Sequence, residues 1–192
     1  MAYTGKLTRE RIVHEAIDLL NESGIDAVSL RRIAQRLGVS APSLARHVGD
    51  KGELLALLAR TVFDQALDLI PPGLTGDAWL EAFGRALRAK QSETRDVAAL
   101  ISTAPPDEAA AASGDDGPVV RLQAMMRAAG LTDRQAQLRQ GAVQALVTGW
   151  MTFEKSRRAG GFLASLPGDD AFGESLKALI AGFAAARGAD GR

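Results

Sequence analysis

The sequence predicts an all-α protein with a short three-helix region at its N-terminus and a longer helical region after it. Three observations carry that prediction. The chain is rich in Ala, Leu, Arg and Glu and has few runs of β-branched residues. Apolar residues recur at spacings of three and four along most of its length. Between Ser29 and Lys51, the stretch SLRRIAQRLGVSAPSLARHVGDK places two short helical patterns on either side of a single glycine.

Taken in order, Met1 to Lys6 reads as a mobile arm, in the first place a frayed terminus, with contact of Lys6 and Arg9 to a phosphate or the minor groove as the alternative. Thr8 caps the first helix, whose apolar positions Ile12, Ala16, Leu19 and Leu20 share a face, and Gly24 closes it. His14 within it reads as a surface or half-buried residue, since a lone imidazole makes no metal site. Ile25 and Val28 pack the link to the next helix. Ser29 caps that helix, with Leu30, Ile33, Ala34 and Leu37 as its stripe and Gly38 as its stop. Val39 points inward. Ser40 caps the third helix, Ala41 to Val48, where Pro42 is tolerated because first-turn amides lack helical partners. Two short helices with a tight glycine turn are the geometry that sets the second helix in a DNA major groove. The alternative is an ordinary pair of packed helices.

Charge bears on that choice. The whole chain has 23 basic and 23 acidic residues. From Ser29 to Lys51 the cations are Arg31, Arg32, Arg36, Arg46 and Lys51 and the anion is Asp50, so five less one leaves +4. A local basic patch on a neutral chain fits a site that displaces counterions from phosphates.

Asp50 and Glu53 form a capping-box pattern that starts a fourth helix, with the stripe Leu54, Leu55, Leu58, Val62, Ala66 and Ile70. Lys51 in its first turn suits a phosphate. Pro71, Pro72 and Gly73 end it. A helix from Asp77 to about Thr94 carries Trp79, Leu80, Phe83 and Leu87, and a shorter one follows over 96–102. The segment TAPPDEAAAASGDDGP from Thr103 reads as a long exposed loop. Val119 to Ala129 gives a helix with Leu122, Met125 and Met126, stopped by Gly130. Thr132 caps a long helix to about Ala159, with Leu138, Ala142, Ala145, Leu146, Gly149, Trp150 and Phe153. A connection over 160–168 precedes the last helix, capped by Asp169 or Asp170, with Phe172, Leu176, Leu179, Ile180 and Phe183 on one face.

The run from Thr8 to Leu55, with its SLRRIAQRLGVS core, its RHV and its later DKGELL, resembles the N-terminal domain of TetR-family transcriptional regulators. The resemblance implies a helix-turn-helix DNA-binding domain over 1–52 and a helical ligand-binding, regulatory and dimerisation domain over 53–192. It implies a homodimer joined through a four-helix bundle, a palindromic double-stranded DNA operator, and a small-molecule effector that releases the DNA. The small residues Gly141, Ala142, Ala145 and Gly149 would let helices of two subunits approach closely; the alternative is that these apolar faces simply fill one monomer's core. By the same resemblance Arg31 reaches into the groove, while Ser40, Ala41, Pro42 and Ser43 open the recognition helix where base edges are read. Arg46, His47 and Lys51 hold phosphates, and Arg32 and Arg36 serve solubility. The chain departs from the family at Ala45, where members usually carry an aromatic that touches the DNA.

The effector cavity that the family encloses in its C-terminal helices has Trp79, Phe83, Met125, Gln144, Trp150 and Phe153 as candidate lining residues here, with plain core as the alternative for each. No cofactor or metal is expected: the chain has no cysteine, no histidine follows His47, and no Ser, His and acid arrangement suggests catalysis. MAYTGKLTRE is polar and no apolar run approaches the ~18 residues a membrane span needs, so a cytoplasmic protein is expected. The alternative function is a helical ligand-binding or scaffolding protein that has lost specific DNA binding, for which Ala45 is the best support.

Overall fold

The structure, a computed structural model, describes residues 6–103, 124–128, 130–158 and 168–189. Among the described residues all regular structure is helical. The expected loop beyond Thr103, residues 160–167 of the expected connection, and residues 119–123 and 129 of the expected helix lie outside them. The chain divides into two compact units, one running to Asp64 with a return segment from Glu93, the other holding Gln65–Ser92 and the described residues after 123.

In the first unit, α1 (Arg9–Ser23) begins where the Thr8 hydroxyl accepts the Arg11 N–H at 3.3 Å. It stops at Gly24, whose φ of 83° is open to glycine alone at little cost. A 3-10 turn (Ile25–Ala27) leads to α2 (Leu30–Leu37) and then α3 (Ala41–Val48). The Ser29 and Ser40 hydroxyls cap them by accepting the N–H groups of Arg32 and Ser43, and Gly38 makes the left-handed turn between them. The helix starts and stops expected here agree with the structure because each is set by a cap of one or two residues. α4 (Lys51–Asp68) starts with a reciprocal box: Asp50 N–H donates to Glu53 and Glu53 N–H donates to Asp50, at 2.8 and 2.9 Å. Ile12, Leu20, Ile33, Leu44, Leu54 and Leu58 are fully buried at the centre of this unit. One stripe from each of four helices thus makes a core that no single short helix could bury.

Two expectations need correction. Ile70 is not on α4: the helix ends at Asp68, and Leu69 and Ile70 donate to Ala66 and Leu67 in a closing turn. Pro71 disfavours helical geometry at the residue before it, so the stripe continues one step further than the helix can. Residues 169 and 170 lie within the last helix, which begins at Gly168, and not before it.

In the second unit, α5 (Gly76–Glu93) is followed, after the return segment, by α7 (Asp133–Arg158) and α8 (Gly168–Ala189); α6 (Val97–Thr103) belongs to the first unit and contributes Val97 and Leu100 to its core. Thr132 caps α7 in a second reciprocal box with Gln135. α5 and the α7–α8 pair meet closely at Gly84, where an added Cβ would stand 2.8 Å from a Leu176 methyl and 3.2 Å from Val143. Phe172 and Leu176 are fully buried there.

Candidate nucleic-acid interface

The local rules that end α2 and start α3 also decide what α3 presents. Leu44 and Val48, four apart, are buried in the first unit's core. At 100° per residue the opposite side of α3 carries Pro42, Ser43 and Arg46, and Pro42 and Arg46 are exposed. Arg31, in the first turn of α2, is exposed, as are Arg32, Ser40 and Lys51. Ser43 and His47 are half-buried. Ala41 is also half-buried and packs against the core, so its methyl is partly spent inward. The Ser40 hydroxyl is engaged by the Ser43 N–H at 3.3 Å, which leaves it lone-pair capacity but a fixed place. Ala45 is half-buried on the flank of this surface.

The basic patch is reshaped by two contacts. Arg36 forks onto Glu22 at 2.7 and 3.1 Å and also pairs with Glu15, so its charge joins α2 to α1 and is neutralised there. The Arg36 hydrogen bonds hold the Glu22 carboxyl below the usual carboxylate range. Arg36 therefore has a structural duty beyond the surface solubility expected of it. In the other direction, Arg9 Nε donates to the His47 carbonyl at 3.0 Å. A guanidinium at the C-terminal end of α3 opposes the negative end of the helix dipole and places one more cation beside the recognition helix. Its donor and acceptor are 38 positions apart, so no local spacing could announce the bond. At the start of α4, the capping carboxylates of Asp50 and Glu53 occupy the helix end, and Lys51 supplies the positive charge there.

The six candidate lining residues all belong to the second unit. Trp79 stacks on Phe83 with ring centroids 5.3 Å apart, both buried. Trp150 meets the edge of Phe172 and donates its indole N–H to Glu154 at 3.1 Å. Gln144 is half-buried, whereas Met125 and Phe153 are exposed in the single chain. Arg88 pairs with Glu154 and lies over the Phe172 ring at 4.8 Å. Gln91, on the same helix, is 1% exposed and neither end of its amide meets a hydrogen-bond partner in the protein. A glutamine at the edge of an apolar stripe reads as a surface residue, which is why sequence reasoning passes over it. Among the described residues no group of His, Cys, Asp and Glu could hold a metal ion.

Comparison with known proteins places this geometry. Residues 12–58 match the model of bacterial regulatory proteins of the tetR family. The class D tetracycline repressor protein of Escherichia coli is 39% identical over 74 residues, 38% of this chain and 34% of that protein. The chain thus spans about a third of the length of the curated relatives it matches. Over nearly the whole chain, the structure is similar to ActR of Streptomyces coelicolor in complex with actinorhodin, with 28% identity, a TM-score of 0.74 and coverage of 95% and 98% of the two chains. It is also similar to SCO0253 of the same organism, a TetR-family transcriptional regulator, with 30% identity, a TM-score of 0.60 and coverage of 92% and 94%. With the helix-turn-helix, the helical second unit and near full-length likeness in agreement, the chain belongs to the TetR family of transcriptional regulators.

Proposed function

We propose that this chain is a ligand-responsive, DNA-binding transcriptional regulator, a repressor that grips a palindromic operator as a homodimer and is released by a small molecule. The observation that carries the reading is the outward face of α3. Pro42, Ser43 and Arg46 project from a helix whose other side is locked in the core, with Arg31 and Lys51 exposed on the helices flanking it in sequence. In this reading Arg31 forks onto a base edge, Ser40, Ala41, Pro42 and Ser43 set the entry of α3 into the groove, and Arg46, His47 and Lys51 hold the backbone. Arg46 takes over the anchoring that an aromatic at position 45 would give.

An eight-residue helix offers few base contacts, so two copies reading two half-sites are needed for specificity. The partner surface is the side of α7 on which Leu138 and Phe153 are 61% and 52% exposed and a Cβ added at Gly141 or Gly149 would meet nothing. Exposed large apolar groups beside bare backbone fit close helix packing by a second copy. The proposal includes a division at residues 52 and 53 between a DNA-binding domain and a regulatory and dimerisation domain, a cytoplasmic location and no enzymatic step. No helix among the described residues is long and apolar enough to cross a membrane.

The test is selection of bound duplexes from random DNA by the purified protein at two salt concentrations. A recovered palindrome whose binding weakens steeply with salt supports the reading. Recovery of unrelated sequences alone refutes it and leaves a helical ligand-binding protein.

A further inference from the structure

Trp79, Phe83, Leu87 and Gln91 stand four apart on α5 and form one buried ridge of the second unit. Three members are apolar or aromatic, and the fourth is a primary amide. Gln91 is 1% exposed, yet its nitrogen and its oxygen both lack a partner, as does the indole N–H of Trp79. A buried amide with neither end paired is strongly unfavourable, and a methionine would fill the same space without that penalty. The neighbouring charge one turn away does not relieve it. Arg88 is paired with Glu154, whose carboxylate also takes the Trp150 N–H.

The unpaired amide states what would satisfy it. A carboxylate offers only acceptors and would leave the Gln91 oxygen bare; an ammonium offers only donors and would leave the nitrogen bare. A group with a donor and an acceptor side by side satisfies both, and the cis-amide edge of a lactam is its geometric complement. Along the ridge from Gln91, Leu87 is one turn away and Phe83 and Trp79 are about two and three turns away, the two rings stacked at 8°; an apolar ridge that ends in flat rings favours a planar apolar body.

We propose that Gln91 is the recognition group for an uncharged, planar, largely apolar effector that presents an adjacent N–H donor and carbonyl acceptor. This assignment rests on reading the chain as an effector-responsive regulator. It adds to that reading the chemistry of the effector.

The experiment titrates the full chain with the planar lactam phenanthridin-6(5H)-one and with its N-methyl derivative, which keeps the shape and the carbonyl but loses the donor. Binding is followed by calorimetry and by the fluorescence of Trp79 and Trp150, the two tryptophans present. The expected result is that the lactam binds and that N-methylation weakens binding by about tenfold, the loss of one hydrogen bond to a buried neutral group. In Gln91→Met the two probes bind alike. Without any probe, Gln91→Met melts at the same temperature as the natural chain or higher, because an unpaired buried amide is removed. The proposal is overturned by absence of lactam binding, by equal binding of both probes to the natural chain, or by a preference that survives Gln91→Met. A lowered melting temperature in Gln91→Met overturns it too, since the amide would then be bonded in the free protein. The duplex selection described above separates the two readings. Probe discrimination without duplex recovery leaves the Gln91 site standing and refutes the regulator. Duplex recovery without probe discrimination refutes the Gln91 site alone.

Discussion

Gly38 and Gly49 close the two helices of the DNA-reading motif with similar φ values, 68° and 71°, yet their surroundings differ. A Cβ at Gly38 meets nothing within 4 Å, so Gly38→Ala costs only the left-handed backbone, about 1 kcal/mol. At Gly49 the Cβ would fall on the Glu53 carboxylate, the group that accepts the Asp50 N–H. Gly49→Ala therefore strains the backbone and also breaks the capping box of α4, for roughly 3 kcal/mol together. Urea unfolding of the two variants checks the order, and equal losses would mean that the box does not hold. Asp96 is a third case, a non-glycine residue at φ 52° whose Oδ2 accepts the Ile25 N–H at 3.0 Å. Asn tolerates that backbone and keeps an oxygen acceptor, so Asp96→Asn leaves the unfolding midpoint nearly unchanged. Asp96→Ala loses the bond, about 1 kcal/mol in the same assay.

Between elements, the fork from Arg36 to Glu22 and Glu15 sets α2 against α1. Because its carboxyl is held below the usual range by these hydrogen bonds, Glu22 binds its proton less readily folded than unfolded. The resulting stability is present above the unfolded carboxylate range and is lost as pH falls through that range toward the folded value. Arg36→Met, which keeps the apolar stem, is expected to lower the urea midpoint at neutral pH, and the gap from the natural chain should narrow as pH falls below the usual carboxylate range. A gap unchanged at acid pH would show that packing of the stem, and not the ion pair, matters. This pair also marks how far the sequence could be read. The ends of α2 and α3 were legible because Ser29, Gly38, Ser40 and Gly49 act within a few residues of themselves. Arg36 reads only as a basic residue on an amphipathic helix, because its partners come from α1 and are chosen by packing. The apolar period overruns the end of α4, reaching Ile70 where the backbone is already constrained by Pro71. Gln91 continues the four-residue spacing of Trp79, Phe83 and Leu87, but a glutamine carries no apolar signature and so reads as the polar end of that stripe. For the candidate DNA face the outcome is mixed. The exposure of Arg31, Pro42, Arg46 and Lys51 follows from the helical period, whereas the inward packing of Ala41 and the bond from Arg9 to His47 do not.

At the scale of the whole molecule, the question is what covers the exposed side of α7. Leu138 leaves 61% of its surface in water and Phe153 52%, the two highest values on this helix among the exposed large apolar groups of the described residues. Gly141 and Gly149 lie on the same side, one and three turns along from Leu138. In the proposed dimer each copy's Leu138 is buried by the other, and full burial of a leucine side chain stabilises by about 1.5–3 kcal/mol. Two-fold symmetry makes every substitution act twice. Leu138→Glu would then place two carboxylates in an apolar contact, and the favourable outcome for the chain is to separate. Since position 138 is exposed in the single chain, the substitution leaves the core of each subunit intact, and circular dichroism should show unchanged helix content. Sedimentation equilibrium should report the mass of one 20.2 kDa chain where the natural protein gives twice that mass. Binding to a selected palindrome should weaken by more than about tenfold, because the two recognition helices no longer arrive together and the second half-site loses its effective concentration. A variant that stays dimeric with unchanged DNA affinity would exclude this side of α7 as the interface. A variant that is monomeric yet binds the palindrome as tightly as before would show that DNA recognition does not need the dimer, and would remove the reason for expecting a palindrome at all.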